Sequence, residues 1–160
     1  MKKHTISVLV ENKFGVLARI SGLFSARGFN IDSLAVGETE DPTISRMTIV
    51  LKGDDRILEQ VKKQLNKLID VIKVQDFTQK EYIDREIILI RVSVEEKKRP
   101  EILKVIDSVG AKVIDAGSET ITVEESGNKD KIHALIELLR PYGIKEMTRS
   151  GAIAISKEGA

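Results

Sequence analysis

Residues 5 to 30 constrain the fold of this chain more than any other stretch. Ile6, Val8 and Val10 alternate with Thr5, Ser7 and Leu9, the pattern of a strand with one well-buried face. A loop carrying Asn12 and Gly15 follows. Val16, Leu17, Ile20, Leu23 and Phe24 then recur at three- and four-residue spacing and make one apolar stripe along a helix. Gly28 stands where a glycine ends a helix, and Asn30-Ile31 opens a second strand. A strand that runs through a short loop into a helix brings the helix start to a sheet edge. The first-turn N–H groups there lack intrahelical partners, and such an end suits an anion, including the carboxylate of a free amino acid. Gly22, inside the helix, costs about 1 kcal/mol against alanine and is expected to pack closely on the sheet.

The rest of the first half continues the pattern. Asn30 to Glu38 reads as a strand, Gly37 to Thr43 with Asp41-Pro42 as a turn, and Ile44 to Leu51 as a third strand. Asp54 can cap a helix whose stripe is Ile57, Leu58, Val61, Leu65 and Leu68, and Val71 to Phe77 is a fourth strand. This order, strand-helix-strand-strand-helix-strand, is the ferredoxin-like arrangement. Both helices would cover one face of an antiparallel sheet, leaving an open apolar face that calls for a partner, so a homodimer is expected. The polar run Thr78 to Glu86 reads as a linker.

The same order then repeats without repeating residues. Ile87 to Val94 is a strand, and Pro100 suits the first turn of a helix that Gly110 ends. Lys112 to Ala116 and Thr120 to Glu124 are short strands, and Asn128 can cap a helix closed by Pro141 and Gly143. Ile144 to Met147 and Ala152 to Ile155 are expected to finish that sheet. The fold class is thus α+β: two ferredoxin-like (βαββαβ) domains in tandem, with helices on one face of each antiparallel sheet. The expected boundaries are 1–78, a linker over 79–86, and 87–160.

Several classes of function find no support. The formal net charge of +1 offers no bulk attraction to nucleic acid or membrane. Aromatics at 4% leave little for base stacking. The chain has no Cys, which removes thiol catalysis and thiolate metal sites. His4 and His133 stand apart from acidic neighbours at metal-ligand spacing, and there is no GxxxxGK[ST] or GxGxxG phosphate loop. Neither a catalytic nor a metal-binding residue is assigned. The start lacks the apolar run of a signal peptide, and nothing approaches ~20 consecutive apolar residues, so a cytoplasmic protein is expected.

The first loop is the remaining candidate. Gly15 lets a ligand approach the backbone closely. The N–H groups of Gly15, Val16 and Leu17 suit a carboxylate, and Asn12 and Asn30 offer amide oxygens to an ammonium group. Val16, Leu17 and Ile31 would wall a small branched aliphatic side chain. The alternative has Asn12 capping the helix and Asn30 making an Asx-turn.

The stretch from His4 to Leu34, with Glu11-Asn12-Lys13-Phe14-Gly15-Val16-Leu17-Ala18-Arg19-Ile20 and Arg27-Gly28-Phe29-Asn30-Ile31, resembles the start of the small, regulatory subunits of acetolactate synthase (acetohydroxyacid synthase). Asp41-Pro42-Thr43-Ile44-Ser45-Arg46-Met47-Thr48-Ile49, Leu65-Asn66-Lys67-Leu68-Ile69-Asp70-Val71, Arg85-Glu86-Ile87 and Arg149-Ser150-Gly151 match as well. The first 80 or so residues resemble an ACT domain, a ferredoxin-like module that binds amino acids at a dimer interface. The resemblance implies a non-catalytic subunit that activates a large catalytic subunit in branched-chain amino-acid biosynthesis. It also implies feedback inhibition by valine, with leucine or isoleucine as further effectors. Thiamine diphosphate, magnesium and FAD are implied for the large subunit and no cofactor for this chain. The effector loop of the family falls on Asn12, Gly15, Val16 and Leu17, and the facing protomer's side of the site on Asn30 and Ile31. Phe14 is placed to narrow the pocket. The alternative is a free-standing ACT-type sensor acting on a different enzyme.

Overall fold

A computed structural model describes residues 2–158 of the chain. It divides into two compact units, one running to Ile83 and resumed from Ala152, the other Asp84–Gly151.

The first unit contains β1 (Lys2–Glu11), α1 (Val16–Ala26), β2 (Asn30–Glu38), β3 (Ile44–Gly53), α2 (Asp55–Lys67) and β4 (Val71–Asp76). The strands pair antiparallel in the order β2-β3-β1-β4. This is the expected ferredoxin-like order, because each helix must carry the chain across a strand to reach its next place. Side chains alternate across a strand, so Ile6, Val8 and Val10 all turn to one face. There they meet Val16, Ile20 and Phe24 of α1 and Leu58, Val61 and Leu65 of α2, all buried. Asp54 caps α2, its carboxylate accepting the Arg56 N–H at 2.7 Å. Asp54→Ala is expected to cost about 1 kcal/mol, read as a lowered unfolding midpoint; no shift would mean that water replaces the cap at no cost.

Three expectations change here. Gly22 does not pack closely, since an added Cβ would meet nothing within 4 Å. Most of the linker over 79–86 is strand: β5 (Tyr82–Ser93) begins at Tyr82, whose ring stacks on Phe77 at 5.0 Å. The second sheet face of this unit is not uniformly apolar: Leu9 and Val50, both half-buried, share it with polar residues. It carries Ser7 and Thr48, which face each other in register and are both buried. Arg46 lies on the same face and donates to the Ser7 hydroxyl at 3.0 Å and to Gln75 at 3.3 Å. A further strand, β9 (Ile153–Ser156), approaches β1 and β3. The Ala154 N–H donates to the Thr48 hydroxyl at 3.4 Å, and the Lys157 N–H donates to the Glu81 carbonyl at 3.2 Å. Ala152 and Ala154 are buried, while Ile153 and Ile155 remain well exposed. The segment pairs with β5 and so joins the second sheet as expected, while its residues group with the first unit.

The second unit has its own core. β5 (Tyr82–Ser93), α3 (Arg99–Ser108), β6 (Lys112–Ala116), β7 (Thr120–Gly127), α4 (Lys129–Leu139) and β8 (Ile144–Arg149) repeat the order, with strands arranged β6-β7-β5-β8 and β9 also paired with β5. Ile88, Ile90 and Val92 of β5 are fully buried with Ile102 and Ile106 of α3 and Ile132, Leu135 and Leu139 of α4. Pro100 lies in the first turn of α3, and the Asn128 side chain caps α4 by accepting the Lys131 N–H at 2.9 Å.

Candidate ligand site at the start of the first helix

The loop between β1 and α1 is held from outside itself. The Glu11 N–H donates to the Asp70 carbonyl at 2.8 Å, and the Asn12 N–H donates to the Thr43 carbonyl at 2.7 Å. Gly15 occupies the cap position with φ +83°, a left-handed conformation that glycine adopts without a Cβ penalty. No side chain caps the helix, and its first turn carries no acidic residue. The Gly15 and Leu17 N–H groups have no acceptor among the described residues, and Val16 N–H reaches only Lys13 O at 3.4 Å. The result is a helix start with donors facing outward.

The side chains sort differently from the expectation. Asn12 is exposed and does not cap the helix; its amide donates to Pro42 O at 3.0 Å and to Glu38 Oε1 at 3.4 Å. This orients its carbonyl oxygen as the acceptor still available. Val16 is buried in the core, so it offers a backbone N–H and no wall. Leu17 is 45% exposed and does offer one. Phe14 is fully exposed and covers nothing in the single chain. Lys13 pairs with Glu11 at 2.8 Å, and that hydrogen bond holds the ammonium pKa above its usual value.

Asn30 and Ile31 are not brought to this loop within one chain. Asn30 is in register with Lys52, which is itself level with Lys3, whereas Glu11 is level with Ile44 and Glu38 with Ser45. The span from Ser45 to Lys52, at about 3.4 Å per residue, puts the two groups roughly 24 Å apart. Asn30 makes no Asx-turn; its amide reaches Asp32 Oδ1 at 3.4 Å. Ile31 is half-buried against the core.

Two residues at the loop were not anticipated. Arg19 sits one turn above Gly15, and its Nη2 donates to Asp70 Oδ2 at 2.5 Å. A Cβ added at Gly15 would stand 3.3 Å from Arg19 Nη1. The i, i+4 spacing of Gly15 and Arg19 was visible in the sequence; the pairing with Asp70 across 51 positions was not.

Elsewhere, His4 is buried between the Thr78 hydroxyl at 2.9 Å and the Gly53 carbonyl at 3.1 Å, a structural setting. Among the described residues no group of His, Asp or Glu is arranged to hold a metal ion, and no helix is long and apolar enough to cross a membrane.

A family model described as "AHAS small subunit-like ACT domain" matches residues 6–73, and one described as "Small subunit of acetolactate synthase" matches residues 85–158. A probable acetolactate synthase small subunit of Archaeoglobus fulgidus is 52% identical over 153 residues, covering 96% of each chain. The acetolactate synthase small subunit of Aquifex aeolicus is 48% identical over 99% of this chain and 83% of its own. The crystal structure of the acetolactate synthase small subunit from Thermotoga maritima superposes with a TM-score of 0.88 at 38% identity, covering both chains fully. Both halves of the chain are matched, each by a model of the same subunit, and the chain belongs to the acetolactate synthase small-subunit family.

Proposed function

We propose that this chain is the non-catalytic, regulatory subunit of an acetolactate synthase, that it activates a large catalytic subunit, and that it mediates feedback inhibition by valine bound between two copies. One observation carries the site assignment. β2 is an edge strand, with one backbone edge unpaired in the sheet. If two copies join through this edge about a two-fold axis, the strands run antiparallel and the same patch meets itself. The Asn30 end of one β2 then lies against the Glu38 end of the other. Glu38 is the residue that touches Asn12. Self-pairing of β2 therefore closes the 24 Å gap, bringing Asn30 and Ile31 of the second copy to Asn12, Gly15, Val16 and Leu17 of the first.

The chemistry of the six residues suits a free amino acid. The outward N–H groups at the helix start take the carboxylate. The carbonyl oxygens of Asn12 and the second copy's Asn30 take the ammonium. Leu17 and the second copy's Ile31 wall an aliphatic side chain, which favours valine, with leucine and isoleucine as weaker effectors. The ligand touches both copies, so it favours the dimer packing that best closes the site. A coupling of about 1–3 kcal/mol between that packing and the large subunit is enough for a clear effect on affinity. Thiamine diphosphate, magnesium and FAD belong to the large subunit in this reading, and the pair works in the cytoplasm.

Calorimetric titration with valine, alone and with the large subunit, tests it, with leucine, isoleucine and threonine as comparisons. Saturable binding near one site per protomer, at roughly micromolar to millimolar, is expected. No heat of binding in either format would end the valine assignment.

A further inference from the structure

We infer that Arg19 reads the carboxylate of the bound amino acid and so sets the specificity of this site for carboxylate-bearing ligands. The inference rests on the reading above and deepens it. A guanidinium has five donors in a fixed plane. One of them, on Nη2, is committed to Asp70, and Asp70 is itself buried at 7% exposure. The backbone carbonyl of Asp70 accepts the Glu11 N–H, so this anchor is tied to the strand that leads into the loop. The other edge of the guanidinium is free to act. Nη1 lies over Gly15, within 3.3 Å of the place a Cβ would fill, and it has no acceptor among the described residues.

A guanidinium clamped on one side presents the other in a defined plane, and a carboxylate is the group that matches it with paired, charge-assisted hydrogen bonds. The outward N–H groups of Gly15 and Leu17 open onto the same loop. The Arg19 side chain is half exposed, and in this inference its Nη1 and those two N–H groups share one carboxylate. Gly15 serves it twice, by adopting φ +83° and by leaving room for the guanidinium. Asp70 is a positioning residue: it acts on the ligand only through Arg19.

The test compares valine with valinamide, which keeps the ammonium and side chain but lacks the carboxylate, using the full chain in complex with the large subunit. The wild-type protein is expected to prefer valine strongly. In Arg19→Gln that preference should fall by about tenfold to a hundredfold, the range for one hydrogen bond between charged groups, with valinamide affinity little changed. Arg19→Lys keeps the charge without the fork and should lose less; it also serves if Arg19→Gln folds poorly by thermal melting. Asp70→Asn should lower the same preference without touching the ligand. If Arg19→Gln and Arg19→Lys keep the wild-type valine-to-valinamide ratio, or weaken both ligands equally, Arg19 is only a structural partner of Asp70 and the inference falls alone. If the wild-type complex binds no valine, the reading of the site falls and takes the inference with it.

Discussion

Replacing Gly15 with aspartate is expected to abolish inhibition by valine while the large subunit is still activated. Two effects act together. A residue other than glycine at φ +83° is strained by about 1–2 kcal/mol, less for aspartate than for branched side chains. The greater effect is electrostatic. The new carboxylate begins 3.3 Å from Arg19 Nη1, at a helix start with no other acid in its first turn. It would pair there with the guanidinium and outward N–H groups, in the place of the ligand's own carboxylate. Valine must then displace a tethered group and bring a like charge beside it, so affinity should drop by about a hundredfold or more, the scale of 3 kcal/mol. The core residues Val16, Ile20 and Phe24 point away from this position, so the unit should stay folded. Reconstitution with the large subunit and assay of acetolactate formation against valine concentration decides the matter. A variant with an unaltered inhibition curve would mean that the ligand does not use this loop.

The largest loss of stability is expected from Phe24→Ala. Phe24 is wholly buried, and its ring meets Phe29 edge-on with centroids 6.3 Å apart. Phe29 in turn fills the space beside Gly53, where an added Cβ would overlap its ring. The helix end, the start of β2 and the end of β3 therefore share one aromatic contact. Removing a buried Phe costs about 3–5 kcal/mol, a large share of the roughly 5–15 kcal/mol that holds a typical protein folded. Urea unfolding followed by circular dichroism should show the transition of the first unit moving to lower denaturant. Since the chain has two units, the second unit's transition should stay in place. A loss under about 1 kcal/mol would show that the neighbours collapse into the gap.

Element type and order were legible because the apolar period switches between two and about 3.6 along the chain. Ile6, Val8 and Val10 against Ile20, Phe24 and Leu17 show the switch within 20 residues, and Gly28 and Gly110, both at positive φ, mark where helices stop. What failed were statements about which element meets which. The alternation of Ala152, Ile153, Ala154 and Ile155 announces a strand, and it pairs with β5 as expected; its hydrogen bond to Thr48, 106 positions earlier, had no local signal. Ser7 and Thr48 also make that sheet face mixed in polarity, where the alternation had suggested an apolar surface needing cover. Val16 was expected to wall the ligand because the stripe and the loop overlap at that residue; burial assigns it to the core. The separation of Asn30 from Asn12 follows from strand register, which no local pattern encodes.

The return of β9 makes the first unit discontinuous in sequence. The contact between Ala154 and Thr48 closes a loop of 106 positions, and the whole second unit lies inside that loop. Entropy lost on closing a loop rises only slowly with length, so the detour is thermodynamically mild. Its effect is on timing. During synthesis, the residues of the candidate site and all four strands of the first sheet are made long before Ala152. Thr48 waits without its Ala154 partner until the intervening 68 residues of Asp84–Gly151 have been translated. A ribosome stalled in that interval therefore holds a first sheet that Ala154 has not yet reached.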